Sequence, residues 1–331
     1  MASTSDNAGI PASGRPAPIV RIFGWALLGI LAAFLIENVL MVAFGFPGMT
    51  AAFGGGGALA WIQLAIYAAT LAAVVAYVLR TPNRALRREA DSIHRFNLYL
   101  VRACFWAVLL VGVVDATIAF MRVENLLDFF MGEESVRALG RATFVGNYIH
   151  IPLLIVALVV AAFTRTLGFT WLALLIVAAE LIIVISRFVF SYEQALMGDL
   201  VRYWYAALFL FASAYTLFDE GHVRVDVLYS GFSTRTRGLV NAVGSLLLGA
   251  TTAWVIIDIG FDGPRSIINS SVANMEISAS GPVGMFIKYH MAAFLGIFAI
   301  TMLIQFVSYF FEAVADRRDE PGHREHEPVT Q

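Results

Sequence analysis

The sequence predicts an all-α integral membrane protein with about eight transmembrane helices. Three observations carry that expectation. Residues of the apolar AVILMFWYC set fill 59% of the 331 positions, and mean hydropathy is +0.76, whereas soluble domains run at about 45–50% apolar with Gly included. Only 14% of residues are charged, against about 25% in soluble domains, so a water-soluble fold would lack polar groups to cover its surface. The apolar residues also fall into eight runs of spanning length, not into the short alternating segments of a membrane barrel. The same numbers exclude an ordinary cytosolic enzyme, a disordered chain and a disulfide scaffold. A formal charge of −2 leaves no basic excess for nucleic acid, and the lone Cys104 cannot close an internal disulfide.

Crossing a hydrocarbon core of about 30 Å takes roughly 20 apolar residues in a helix. The runs are approximately 20–44, 59–79, 99–120, 148–164, 168–190, 201–218, 239–259 and 285–311. Around them, 1–18 reads as a disordered tail rich in Ala, Ser, Gly and Pro, and 19–165 as an N-terminal four-helix segment. Residues 166–315 read as a second four-helix domain and 316–331 as a charged tail. The first run exceeds the apolar core of about 7–15 residues found in a cleaved signal. Eight spans put both ends on one side, and that side collects fifteen of the 22 basic residues. The positive-inside rule then places both termini in the cytoplasm.

Two connections carry expectations of their own. In 121–143, Val123, Leu126, Leu127 and Phe130 recur at i, i+3, i+4, i+7, the spacing of a short amphipathic helix at the outer interface. On the inner side, Thr81-Pro82 has the form of a helix start, with Arg84, Arg87, Arg88 and Arg95 then reaching anionic headgroups.

The sequence holds a faint internal duplication. The fourth span opens Phe144-Val-Gly-Asn-Tyr-Ile-His150 and the eighth Phe286-Ile-Lys-Tyr-His290, while each half begins with a helix pairing a Trp and an acid, Trp25 with Glu37 and Trp171 with Glu180. A true repeat would make two parallel four-helix units.

Charges inside spans cost about 2.5–3.5 kcal/mol at the bilayer centre and need a reason. Glu37 lies in the first span, Asp115 near the outer end of the third, and Glu180 at the centre of the fifth with Arg187 two turns on. They could relay protons or coordinate sodium, or pair with Arg and backbone groups of neighbouring helices. No Gly/Pro break lies beside any of them, which favours intramembrane polar contacts. His150 and His290 fall at matching depths beside Tyr148, Lys288 and Tyr289. They read as interfacial anchors, with a bis-histidine haem as the alternative. Gly54–Gly57 lacks the Lys-Ser/Thr of a phosphate loop.

The most distinctive stretch is Glu220-Gly-His-Val-Arg-Val-Asp226, followed by Ser233-Thr-Arg-Thr-Arg237. His222, Arg224 and Asp226 alternate with valines, so charged atoms can face one another while the valines meet lipid or another subunit. With Glu180, the aromatic helix Tyr203–Tyr215 and the lead-in Gly281–Lys288, this stretch makes residues 167–312 resemble the small-permease (Q, DctQ-type) subunit of tripartite ATP-independent periplasmic (TRAP) transporters. Within that family the likeness is to the branch named for mannitol and chloroaromatic compounds.

The resemblance implies a transport component of a bacterial inner membrane, not an enzyme. It implies a large M subunit that binds sodium and substrate and moves as an elevator, and a periplasmic solute-binding protein that delivers the solute. The small subunit is then a scaffold in the lipid bilayer with no cofactor of its own. Glu220, His222, Arg224, Asp226, Arg235 and Arg237 become interface or fold determinants, and the segment before Arg165 exceeds the usual four spans. A stand-alone secondary transporter using Glu37, Asp115 and Glu180, and a haem-bearing redox subunit, are the competing readings.

Overall fold

The computed structural model describes residues 13–166, 168–218 and 229–323. Among the described residues eight helices are long and apolar enough to cross a membrane: α1 Pro18–Phe44, α2 Gly57–Arg80, α3 Leu86–Val123, α4 Ala142–Phe163, α5 Phe169–Val189, α6 Ala195–Phe218, α7 Thr234–Phe261 and α8 Lys288–Arg317. Among the described residues there is no strand beyond an isolated bridge between Ser13 and Arg84. This is the expected all-α membrane class.

Two connections differ from expectation. Thr81 does not start a helix. It closes α2, with its N–H donating to Val78 O (3.3 Å) and its hydroxyl to Tyr77 O (2.8 Å), and α3 begins only at Leu86. The long α3 extends well before its apolar run because Arg87, Glu89, His94 and Asn97 in its first turns are all buried against protein. Arg87 is therefore not at headgroups. In 121–143 the amphipathic helix is broken: Asn125 takes φ 55°, the left-handed region that Asn tolerates better than most residues. Short helices follow at Leu127–Phe130 and Glu133–Leu139. Leu127 packs in a core with Ile118, Leu139, Val145 and Phe286, while Phe129 and Phe130 are exposed.

The chain forms two compact units. One comprises Met1–Asn97, Ala214–Pro264 and Ala299–Gln331, the other Leu98–Ser213 and Arg265–Phe298, so each draws on both halves of the sequence. Lipid is as apolar as leucine, and helices within it are held by close packing and polar bonds. Small residues supply the packing. In the first unit a Cβ on Gly24 of α1 would lie 2.4 Å from the Phe311 ring. One on Gly249 of α7 would lie 2.5 Å from the Phe306 ring, and one on Gly238 2.6 Å from the backbone of Ala313 and Arg317. In the second unit Gly112 of α3 admits the Trp204 indole, whose Nε1 donates to Val108 O at 3.3 Å. Single π-helical turns interrupt α4 at Gly146–His150 and α7 at Ser245–Ala250. Such turns rotate the residues that follow them and recur at functional positions.

Candidate functional site

The first unit is tied by buried charge pairs. Arg21 of α1 has no exposure, and its Nη2 and Nε reach Glu89 Oε1 of α3 at 2.6 and 2.9 Å. Its remaining donors bind Thr81 Oγ1 (2.6 Å) and Thr81 O, and Tyr77 donates to Glu89 Oε2 at 3.0 Å. Arg87 joins α3 to the end of α8, reaching Glu312 Oε2 at 2.6 Å, Asp316 Oδ1 at 2.8 Å and Pro321 O at 2.9 Å. Two turns further, His94 Nδ1 meets Gln305 Oε1 at 3.0 Å, and Asn97 donates to Thr301 O at 2.9 Å. Removing one member of a buried pair strands the other charge, so these clamps hold their helices in one register.

Glu37 is likewise occupied. It accepts from the Met49 N–H at 2.6 Å and from the Tyr67 hydroxyl, which pins the turn after α1 to α2.

The second unit holds a connected array of buried polar side chains. Asp115 of α3 accepts the Phe286 N–H at 2.7 Å, and Asp199 of α6 accepts the Met285 N–H at 3.1 Å. Two acids from other helices thereby satisfy backbone donors leading into α8, where helix starts lack intrahelical partners. Arg122 completes this collar, donating to Pro282 O (2.6 Å) and Gly284 O (2.7 Å) over the Phe286 ring. The other Asp115 oxygen faces His150 Nε2 at 3.4 Å, and His150 Nδ1 meets the Tyr289 hydroxyl at 2.6 Å. Beside it, the Tyr203 hydroxyl meets His290 Nδ1 at 3.0 Å. The imidazoles of His150 and His290 stand edge to face, 5.1 Å between centroids, so no macrocycle is interleaved between them in this arrangement. The array orients groups and satisfies the backbone donors of Met285 and Phe286, and His150 closes the π-helical turn of α4.

Among the described residues outside the spans, two ionisable groups depart from ordinary behaviour. Hydrogen bonds from Lys288 (3.1 Å) and Ser271 (2.9 Å) hold the Glu276 carboxyl below its usual range. The Glu124 carboxylate raises the Tyr192 phenol by accepting its hydrogen bond.

The structure brings Asp115 together with His150 and Tyr289, and Glu37 with Tyr67. Glu180 and Arg187 do not meet. Arg187 pairs with Glu193 at 3.4 Å beyond the end of α5, and Glu180 is exposed in mid-helix with no polar partner among the described residues. Arg235 pairs with Asp319, and Arg237 lies over the Tyr229 ring at 5.4 Å. Glu220, His222, Arg224 and Asp226 lie outside the described residues. Sequence reasoning passed over Glu89, counted Arg21 only as flanking charge and sent Arg87 to the headgroups, because all three sit in polar segments flanking apolar runs. It also missed Asp199, which lies four residues before Tyr203 on one face of α6, and named Tyr203 only as part of an aromatic helix.

Residues 173–314 match the family model of the DctQ component of tripartite ATP-independent periplasmic transporters. Over these residues the chain is similar to that component. The matched segment covers most of α5 and all of α6 and α7, and it ends in α8, so Glu180, Arg187, Arg235 and Arg237 fall within it. Asp115, His150 and the clamps on Arg21 and Arg87 involve helices that precede the matched residues. Comparison with curated proteins and with solved structures gives no match.

Proposed function

We propose that the chain is the small membrane subunit of a TRAP-type solute importer, a stationary scaffold for a large permease subunit. In this reading the large subunit couples uptake to sodium and moves as an elevator. A periplasmic binding protein delivers the solute, an organic acid or a molecule of similar character, across a bacterial inner membrane in which both ends of this chain face the cytoplasm. The chain itself catalyses no reaction and holds no cofactor, and the four helices before the DctQ-like segment, a diverged repeat of it, widen the scaffold.

Glu180 carries the proposal. It is the twelfth of the 21 residues of α5, the span with the smallest buried share, surrounded on the exposed surface by Val177, Leu181, Val184 and Phe188. A carboxylate there, facing lipid, would cost about 2.5–3.5 kcal/mol. A donor on the large subunit removes that cost, and the apolar residues around Glu180 then pack against the same partner. By contrast, of the other acids a stand-alone carrier would use, Glu37 is held by the Tyr67 hydroxyl and the Met49 N–H, and Asp115 caps the Phe286 N–H with His150 Nε2 3.4 Å from its other oxygen. Arg224 with Glu220, His222 and Asp226, and Arg235 with Arg237, remain proposed contacts on the cytoplasmic side.

Affinity purification tests this reading. A tagged chain extracted in mild detergent should recover a larger multi-span protein. Glu180→Leu should lower that recovery several-fold, with expression unchanged and Glu180→Gln less affected. Recovery of the chain alone, in cells where solute uptake proceeds without it, would overturn the proposal.

A further inference from the structure

In the second unit a cavity of about 300 Å³ lies against His290, about twice the size of an apolar cavity that takes up benzene. One wall is a stripe on α8, His290, Ala293, Phe294 and Ile297, at i, i+3, i+4, i+7 and so on one helix face. It runs about 10 Å along the helix, seven residues at about 1.5 Å each. Opposite, Ala103 and Ala107 of α3 leave the space that larger side chains would fill. Leu158 of α4 and Val272 of the connection before α8 line it as well and are exposed on the surface, so the cavity opens to the side.

His290 supplies the polar end. Tyr203 has no exposure, and its hydroxyl has one partner among the described residues, His290 Nδ1. A buried phenol needs an acceptor for its proton, so Tyr203 donates and His290 accepts at Nδ1. A neutral imidazole accepting at Nδ1 carries its own proton on Nε2. Among the described residues nothing bonds that Nε2, although His290 is only 7% exposed. A residue with a donor that has no partner among the described residues thus lines an apolar cavity.

We propose that this cavity binds one acyl chain of a membrane phospholipid, with the ester carbonyl oxygen accepting from His290 Nε2–H. The chemistry is set by the donor, which asks for an uncharged or anionic oxygen acceptor, and by the walls, which ask for a slender apolar body. Depth selects the ester: His290 is the third residue of α8, at the membrane boundary where the glycerol esters lie, and the stripe below it descends into the acyl region. The site rests on the cavity and its lining alone and does not depend on the TRAP reading.

Native mass spectrometry of the full chain, extracted in mild detergent and washed, tests the proposal. The wild type should retain one phospholipid per chain. Ala103→Leu combined with Ala107→Leu fills the cavity and should lower retention at least tenfold. The paired variant His290→Leu with Tyr203→Phe removes the donor without orphaning the phenol and should weaken binding of added dioleoyl phosphatidylethanolamine by a similar factor. This second variant decides the matter should the first fail to fold. A wild type that retains no lipid or only free fatty acid, or variants that bind as the wild type does, would overturn the proposal.

Discussion

Asp115 and Phe286, 171 residues apart, are joined by a 2.7 Å hydrogen bond from the Phe286 N–H to the carboxylate. One acid in α3 thus fixes where α8 begins and, through its second oxygen, faces His150. Asp115→Ala should destabilise the protein by about 1–3 kcal/mol, the cost of stranding a buried donor. Asp115→Asn, which keeps an acceptor, should cost less. Unfolding in mixed micelles measures both, and equal losses would contradict the capping role.

The Arg21–Glu89 pair makes a different prediction. Each single replacement, Arg21→Met or Glu89→Leu, should cost about 3–5 kcal/mol by leaving a charge buried and alone, while the double replacement should recover much of that loss. A double-mutant cycle in which the two losses simply add would show that the pair is not coupled.

Close glycine contacts separate backbone from side-chain constraints. A methyl at Gly238 meets the backbone of Ala313 and Arg317 at 2.6 Å, whereas one at Gly24 meets the edge of the Phe311 ring. Gly238→Ala should therefore fall within the overpacking range of about 1–3 kcal/mol. Gly24→Ala should be rescued by Phe311→Leu. Thermal midpoints of the three variants check the ordering.

The Glu276–Lys288 contact bears on pH. The folded state holds the Glu276 carboxyl below its ordinary value, so its contribution to stability is complete above the unfolded pKa of about 4.3. That contribution is lost as pH falls through the lower folded value. Lys288→Met should reduce stability at pH 7, with the gap from wild type closing under acid. Both side chains are about half exposed, so the gap is small. A gap that is constant from pH 7 to pH 3 would contradict the linkage.

All eight spans were legible in the sequence because length and apolarity alone decide them. What the helices do with their polar residues was less so. The acids flagged inside apolar runs, Glu37 and Asp115, turn out bonded within the chain, but their partners are a tyrosine, a histidine and backbone N–H groups that periodicity does not single out. Arg21 and Arg87 counted toward topology as flanking positive charge, yet both are buried, because protein covers the ends of their helices. The break at Asn125 was hidden by a four-residue apolar match to a helix, which one left-handed residue defeats. Faint likeness between Phe144–His150 and Phe286–His290 did point to two histidines, and the fold places their rings in contact.

A chain that only steadies a mobile neighbour should translocate nothing alone. The direct measurement is solute flux into proteoliposomes under an inward sodium gradient, with this chain alone, with the co-purified large subunit and binding protein, and with both membrane subunits together. The account predicts background flux for the chain alone and gradient-dependent uptake only when the large subunit is present. Concentrative uptake by the isolated chain would contradict it.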